Sequence, residues 1–140
     1  YRSWKSDLTS DYTMLESGLG RWVKTDKDNF IGRTALLTEE QRGASLRFVA
    51  MVVNDPTDGE PFGEAVYLSS IRSQNKDVGL VVSAGYGHRV GKSIAYGIVD
   101  ETAFANGDPQ LEVEILGRMR QAHIVDNAVL YDPDNSRLRA

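Results

Sequence analysis

Residues 83–100 read SAGYGHRVGKSIAYGIVD: three glycines, a histidine and two cationic side chains in the first ten residues, followed by an apolar alternation. The stretch is either a phosphate-binding loop or a hairpin, and the two readings lead to different folds. A Walker-type loop needs four residues between its first glycine and Gly-Lys-Ser/Thr, whereas Gly87 and Gly91 leave three. It also needs a helix behind it, and SIAYGIVD repeats with the period of two that belongs to a strand. The stretch therefore reads as a hairpin. Gly85, Gly87 and Gly91 permit close approach or unusual backbone angles, while His88, Arg89 and Lys92 supply hydrogen-bond donors. A hairpin that only turns a corner and one that also borders a ligand channel are both open on this pattern.

Working outward, five further segments carry strand signals: SLRFVAMVV (45–53), EAVYLSS (64–70), DVGLVVSAG (77–85), LEVEIL (111–116) and AHIVDNAVLY (122–131). SIAYGIV (93–99) makes six, which predicts a closed or nearly closed barrel. NDPTDGEPFG and DETAFANGDP hold the Pro, Gly, Asn and Asp that suit turns, with Asn106-Gly107 the best local signal. In LEVEI, Leu111, Val113 and Ile115 are expected to face the core and Glu112 and Glu114 the solvent. A same-side carboxylate pair of this kind is more simply a solvated strand face than an acid–base pair, which needs environments that separate the two pKa values.

Before residue 44 the pattern is helical. Thr13 and Glu16 have capping-box spacing, predicting a short helix through Leu15 that Gly18 and Gly20 end. Ile31, Ala35 and Leu36 are expected on one face of a second helix that Gly43 closes. The chain thus divides into a helical lead-in over 1–43 and a β-barrel over 44–140.

Composition excludes several classes. Twenty acidic and 16 basic residues are scattered along 140 positions, leaving no basic track for a nucleic-acid backbone, and no apolar run is long enough to span a bilayer. An intracellular domain is expected, with neither nucleic acid nor membrane as partner. Without cysteine there is no thiolate metal site, and His88 and His123 lack a ligand-spaced carboxylate pattern, so no metal is expected. The chain opens at Tyr1 in a segment that reads as a continuation, so it is expected to be a piece of something longer.

Residues 4–37, WKSDLTSDYTMLESGLGRWVKTDKDNFIGRTALL, and 83–100 resemble the carboxyl-terminal portion of the glycine-cleavage T-protein (aminomethyltransferase) family, and residues 107–139 resemble its closing strands and tail. The look is nearest to the folate-dependent regions of the dimethylglycine and sarcosine dehydrogenases and of dimethylglycine oxidase. The resemblance implies a six-stranded antiparallel β-barrel preceded by short helices. It also implies tetrahydrofolate as the cofactor that accepts a one-carbon unit from a small amine or iminium, and an upstream folate-binding domain as partner. FAD belongs further upstream where the parent has a flavin domain, and the cytoplasm or mitochondrial matrix is the expected compartment. The family's acidic catalytic residue lies in that upstream domain, so no catalytic residue is assigned here, and Asp7, in the DLT segment, does not inherit the role.

Arg21 and Trp22 fall where the family places a residue near the folate pocket, although GRW moves the indole one position along. Tyr86, His88 and Arg89 correspond to the loop near the active-site entrance, with Arg89 the cation suited to a folate carboxylate. Met14 stands where the family commonly has proline, which leaves that first turn more adaptable. A noncatalytic binding or regulatory module on the same barrel is the alternative reading.

Overall fold

The computed structural model describes residues 2–56, 63–125, 130–134 and 136–137. Six strands, β1 (Leu46–Val53), β2 (Ser70–Ser73), β3 (Lys76–Gly87), β4 (Lys92–Asp100), β5 (Leu111–Ile115) and β6 (Arg118–Ile124), close into an antiparallel barrel in the order β1-β4-β3-β2-β5-β6. Closure joins β6 back to β1 through Val52↔His123 and its neighbours, so no strand edge of the barrel is left unpaired. The period-two alternation decides what lies inside. Met51, Ile71, Val81, Val99, Leu111, Val113 and Ile115 are all within 2% of full burial, and Glu112 and Glu114 alternate with them toward the surface.

Close strand approach needs glycine at two places. A Cβ on Gly79 would come within 2.9 Å of Val99 Cα and nearer still to the Ile98 carbonyl oxygen, and one on Gly97 would strike Ile71 Cδ1. Breaks in register between Ile71 and Arg72 and between Val81 and Ser83 add the local twist that curls six strands into a barrel.

The strand boundaries differ from the sequence reading in two informative places. EAVYLSS is not a strand over 64–69: Ser69 N–H donates to the Val66 carbonyl, Ser69 Oγ accepts from Val66 N–H, and Leu68 takes a φ of 68°, so the strand starts at Ser70, with Leu68 N–H and the Ser69 carbonyl still bonded to Val81 of β3. A serine side chain that accepts from the backbone three residues earlier has outcompeted the β propensity of Val66 and Tyr67. The last strand begins at Arg118 rather than Ala122, because Leu116 and Gly117 both adopt positive φ and make a two-residue hairpin turn. Leucine is a poor turn signal, which hides this hairpin in the sequence. The end of the expected segment, 126–129, lies outside the described residues.

Among the described residues the lead-in has one α-helix, α1 (Arg33–Arg42), terminated by Gly43 at φ 85° as the spacing predicts. The first expected helix is a single turn. Its capping box is complete, with Thr13 N–H donating to Glu16 Oε2 at 3.0 Å and Glu16 N–H donating to Thr13 Oγ1 at 3.1 Å. Gly18 ends it at φ 65°, but Gly20 starts a further tight turn over Gly20–Trp22 instead of closing the first. The expected apolar face of α1 is absent as well. Ile31 and Ala35 are exposed, Leu36 is half-buried, and the buried side chain is Glu39, whose Oε1 accepts a 2.6 Å bond from Thr13 Oγ1. A hydrogen bond to the capping turn, rather than an apolar stripe, sets which side of α1 faces inward. The lead-in is fastened to β1 by Phe48 N–H donating to the Glu16 carbonyl and by Arg2, which donates to the Ser17 carbonyl and lies 3.8 Å over the Phe48 ring.

Candidate functional site

The β3–β4 hairpin is built as its sequence suggests. Gly87 pairs with Lys92, the loop His88–Gly91 is closed by Val90 and Gly91 N–H groups donating to the Gly87 carbonyl, and Gly91 supplies the positive φ of 65°. A Cβ on Gly87 would meet Val90 Cγ2 and Ile94 Cδ1 below 3 Å, so those side-chain ends would have to move aside, whereas Gly85 has neither constraint. At the tip, His88 and Arg89 are exposed. The His88 ring meets the Tyr86 ring edge-on at 5.1 Å, and the Arg89 guanidinium lies 5.9 Å from the centre of the Tyr131 ring. Tyr86 is half-buried, and its N–H donates to Glu64 Oε1 at 2.7 Å, which ties the hairpin to the loop before β2.

Between the base of this hairpin and the start of the lead-in lies a cavity of about 280 Å³, lined by Ser3, Asp7, Ser83–Gly87, Ile94 and Tyr96. Asp7 is 1% exposed. Its Oδ2 accepts from Ser3 N–H at 2.6 Å, and the Ser3 carbonyl accepts in return from Asp7 and Leu8, so the carboxylate staples a tight turn against the barrel. A second cavity of similar size lies beside β1, lined by Arg2, Arg47, Phe48, Phe104 and Asp108 among others. Its cations are already engaged: Arg47 makes a two-point pair with Glu101 and stacks 4.0 Å over Phe104, and Arg2 is held as described above. Burial lowers the Arg2 pKa, against the Asp7 carboxylate, which favours the cation.

Of the five residues expected at a ligand site, Tyr86 lines the first cavity and the other four do not. Arg21 and Trp22 sit on the tight turn Gly20–Trp22, both exposed, with the guanidinium 5.0 Å over the indole ring. The described residues therefore present three separate features: a cationic hairpin tip at Arg89, an arginine–indole pair on the lead-in, and an acid-bearing cavity under Tyr86. Asp7, Ser3 and Tyr96 are the members of that cavity the sequence did not mark as binding residues. An aspartate two residues before a threonine looks like a turn former, and only the fold shows it buried. No three metal-ligating side chains come together among the described residues.

Comparison with known proteins identifies the lineage. Residues 47–132 match the glycine cleavage T-protein C-terminal barrel domain, and the chain belongs to that family. It is 34% identical to mitochondrial dimethylglycine dehydrogenase of Mus musculus over 99% of its own length and 16% of that protein. It is 30% identical to an aminomethyltransferase of Desulfitobacterium hafniense over 86% of its length and 31% of that enzyme. The fold superposes on the glycine cleavage system aminomethyltransferase T of Bartonella henselae with a TM-score of 0.71 at 21% identity, covering 91% of this chain and 34% of that one. The chain thus spans between about a sixth and a third of the curated relatives it matches.

Proposed function

We propose, from this family membership, that the chain acts as the C-terminal barrel of a longer aminomethyltransferase-like enzyme that passes a one-carbon unit from an amine to tetrahydrofolate. The barrel completes the folate chamber and does not perform the chemistry. The observation that carries this reading is the alignment of nearly the whole chain with a dimethylglycine dehydrogenase and most of it with an aminomethyltransferase. In this reading Arg89 at the hairpin tip approaches the folate carboxylates, because guanidinium stays charged and offers two parallel donors. Tyr86 and His88 shape the same rim. Arg21 and Trp22 meet the upstream folate domain from the lead-in, where an indole and a guanidinium exposed together provide an apolar face and a donor. The acid-bearing cavity under Tyr86 is the wrong place for a folate tail, since Asp7 would repel its carboxylates.

Two measurements test the proposal. The 140-residue chain alone should show no folate-dependent turnover above a matched blank, whereas the full-length polypeptide carrying it should. In that polypeptide Arg89→Ala should weaken folate binding by about 1–3 kcal/mol, the range for a lost charge-assisted hydrogen bond. Equal affinity of a correctly folded R89A protein for mono- and polyglutamylated folates would remove Arg89 from the site.

A further inference from the structure

We infer that Tyr131, on the tail beyond the barrel, is a positioning residue for Arg89: its ring holds the hairpin-tip guanidinium ready for an anion that Tyr131 itself does not touch. The inference rests on the proposed function, in which that anion is a folate carboxylate. Arg89 is exposed on the loop His88–Gly91 between β3 and β4, and among the described residues it is in no ion pair. What its guanidinium meets is the Tyr131 ring, 5.9 Å from the ring centre. An arginine with one weak contact on a loop samples many rotamers, and fixing it at the moment of binding costs side-chain entropy. A cation–π contact made beforehand removes part of that cost.

The tail is built to present that ring. Asp132 takes a φ of 53°, its carboxylate oxygens accept from the Arg137 backbone N–H at 3.1 Å, and Oδ1 also accepts from Ser136 Oγ at 2.9 Å. An aspartate tolerates the left-handed conformation, and its carboxylate closes the turn by bonding the backbone ahead of it. Closure brings the Arg137 guanidinium back to Tyr131, where it lies 5.3 Å from the ring centre and donates to the phenol oxygen at 3.3 Å. Tyr131 is thus braced within the tail by one guanidinium and meets the hairpin through another. This accounts for a tyrosine that is 41% exposed and lies outside the barrel core. The two guanidiniums share one ring, and neither is in an ion pair among the described residues, which leaves positive charge at the tip for an incoming carboxylate.

In the 140-residue chain the Nε–Hε and Cδ–Hδ resonances of Arg89 feel the ring current of Tyr131. Tyr131→Leu should shift them to the values of an unstructured arginine while the amides of Gly87 and Lys92 stay in place. Tyr131→Phe keeps the ring and should leave the Arg89 resonances near their parent positions. In the full-length polypeptide Tyr131→Leu should weaken folate binding about two- to fivefold, the scale of one exposed cation–π contact, and Tyr131→Phe should restore most of the loss. In an Arg89→Ala background Tyr131→Leu should have no further effect, because a ring that acts through Arg89 has nothing left to hold. A ring that touched folate itself, or acted through barrel stability, would still lower affinity in that background. Arg89 resonances indifferent to Tyr131→Leu, or an equal folate loss with and without Arg89, overturn the positioning role. The resonance experiment contains no folate, so its failure is the failure of this inference, whereas a folate affinity indifferent to Arg89→Ala is the failure of the proposed function.

Discussion

The barrel and the lead-in solve burial in opposite ways. In the barrel the side chains closed off from water are apolar apart from Ser93 and Arg120, and the strand carboxylates Glu112 and Glu114 alternate outward. Over residues 2–43 the closed-off side chains are Asp7, Glu16, Ser17 and Glu39, while Trp4, Trp22 and Ile31 stand 78%, 66% and 104% exposed. A barrel closed on itself packs the apolar faces of its strands against one another and pairs its own edges. A lead-in held by hydrogen bonds to buried carboxylates, with its large apolar groups outward, has an apolar surface left for another body. That is what the proposed role at a junction with an upstream domain requires.

The sharpest way to break the contrast is to empty the barrel. Ile71→Ala removes a fully buried side chain that touches the strand crossing at Gly97, and it should cost about 2–5 kcal/mol in denaturant unfolding, because the closed sheet cannot collapse around the cavity. Thr13→Ala strikes the lead-in instead. It deletes the acceptor for Glu16 N–H and the donor to Glu39, and should cost about 1–2 kcal/mol. Hydrogen exchange should rise in α1 and the capping turn but not in β3 and β4; equal loss of protection in both regions would show that they unfold as one unit and that the contrast is only one of composition.

Acid probes the barrel rim. The Asp77 carboxyl is held below the usual aspartate range by hydrogen bonds from Arg72 and then Ser70, and Asp100 is held low by the Thr102 side chain and then its backbone N–H. Because the folded pKa is depressed in both, their stabilising effect is present above the unfolded aspartate pKa and is lost as pH falls through the folded value. Carboxyl NMR titration should place both midpoints below an unfolded reference, and Arg72→Ala should raise that of Asp77 while leaving Asp100 in place.

The smallest effect sharpens the comparison most. Trp22→Ser and Ile31→Ser should change the stability of the 140-residue chain by less than about 0.5 kcal/mol, since neither side chain is covered. In the full-length polypeptide the same substitutions should destabilise measurably more if an upstream domain rests on the lead-in. Identical small effects in both would remove the junction role.

The sequence by itself determined the barrel, because period-two alternation acts residue by residue: Leu111, Val113 and Ile115 can face one side only if Glu112 and Glu114 face the other. It likewise determined the hairpin at Gly87–Lys92, the capping box at Thr13 and Glu16, and the stop at Gly43, all of which are contacts or backbone angles within a few residues. Tertiary structure alone decided the rest. Leu116-Gly117 turns because β5 and β6 pair across it, Val66 and Tyr67 leave the sheet because Ser69 Oγ accepts from Val66 N–H, and α1 turns Glu39 inward because Thr13, 26 positions earlier, is there to meet it. Asp7 belongs with these. Its burial beside Tyr86 and Tyr96 joins residues nearly eighty positions apart, and a carboxylate's environment is set by what the fold brings to it, which no local pattern records.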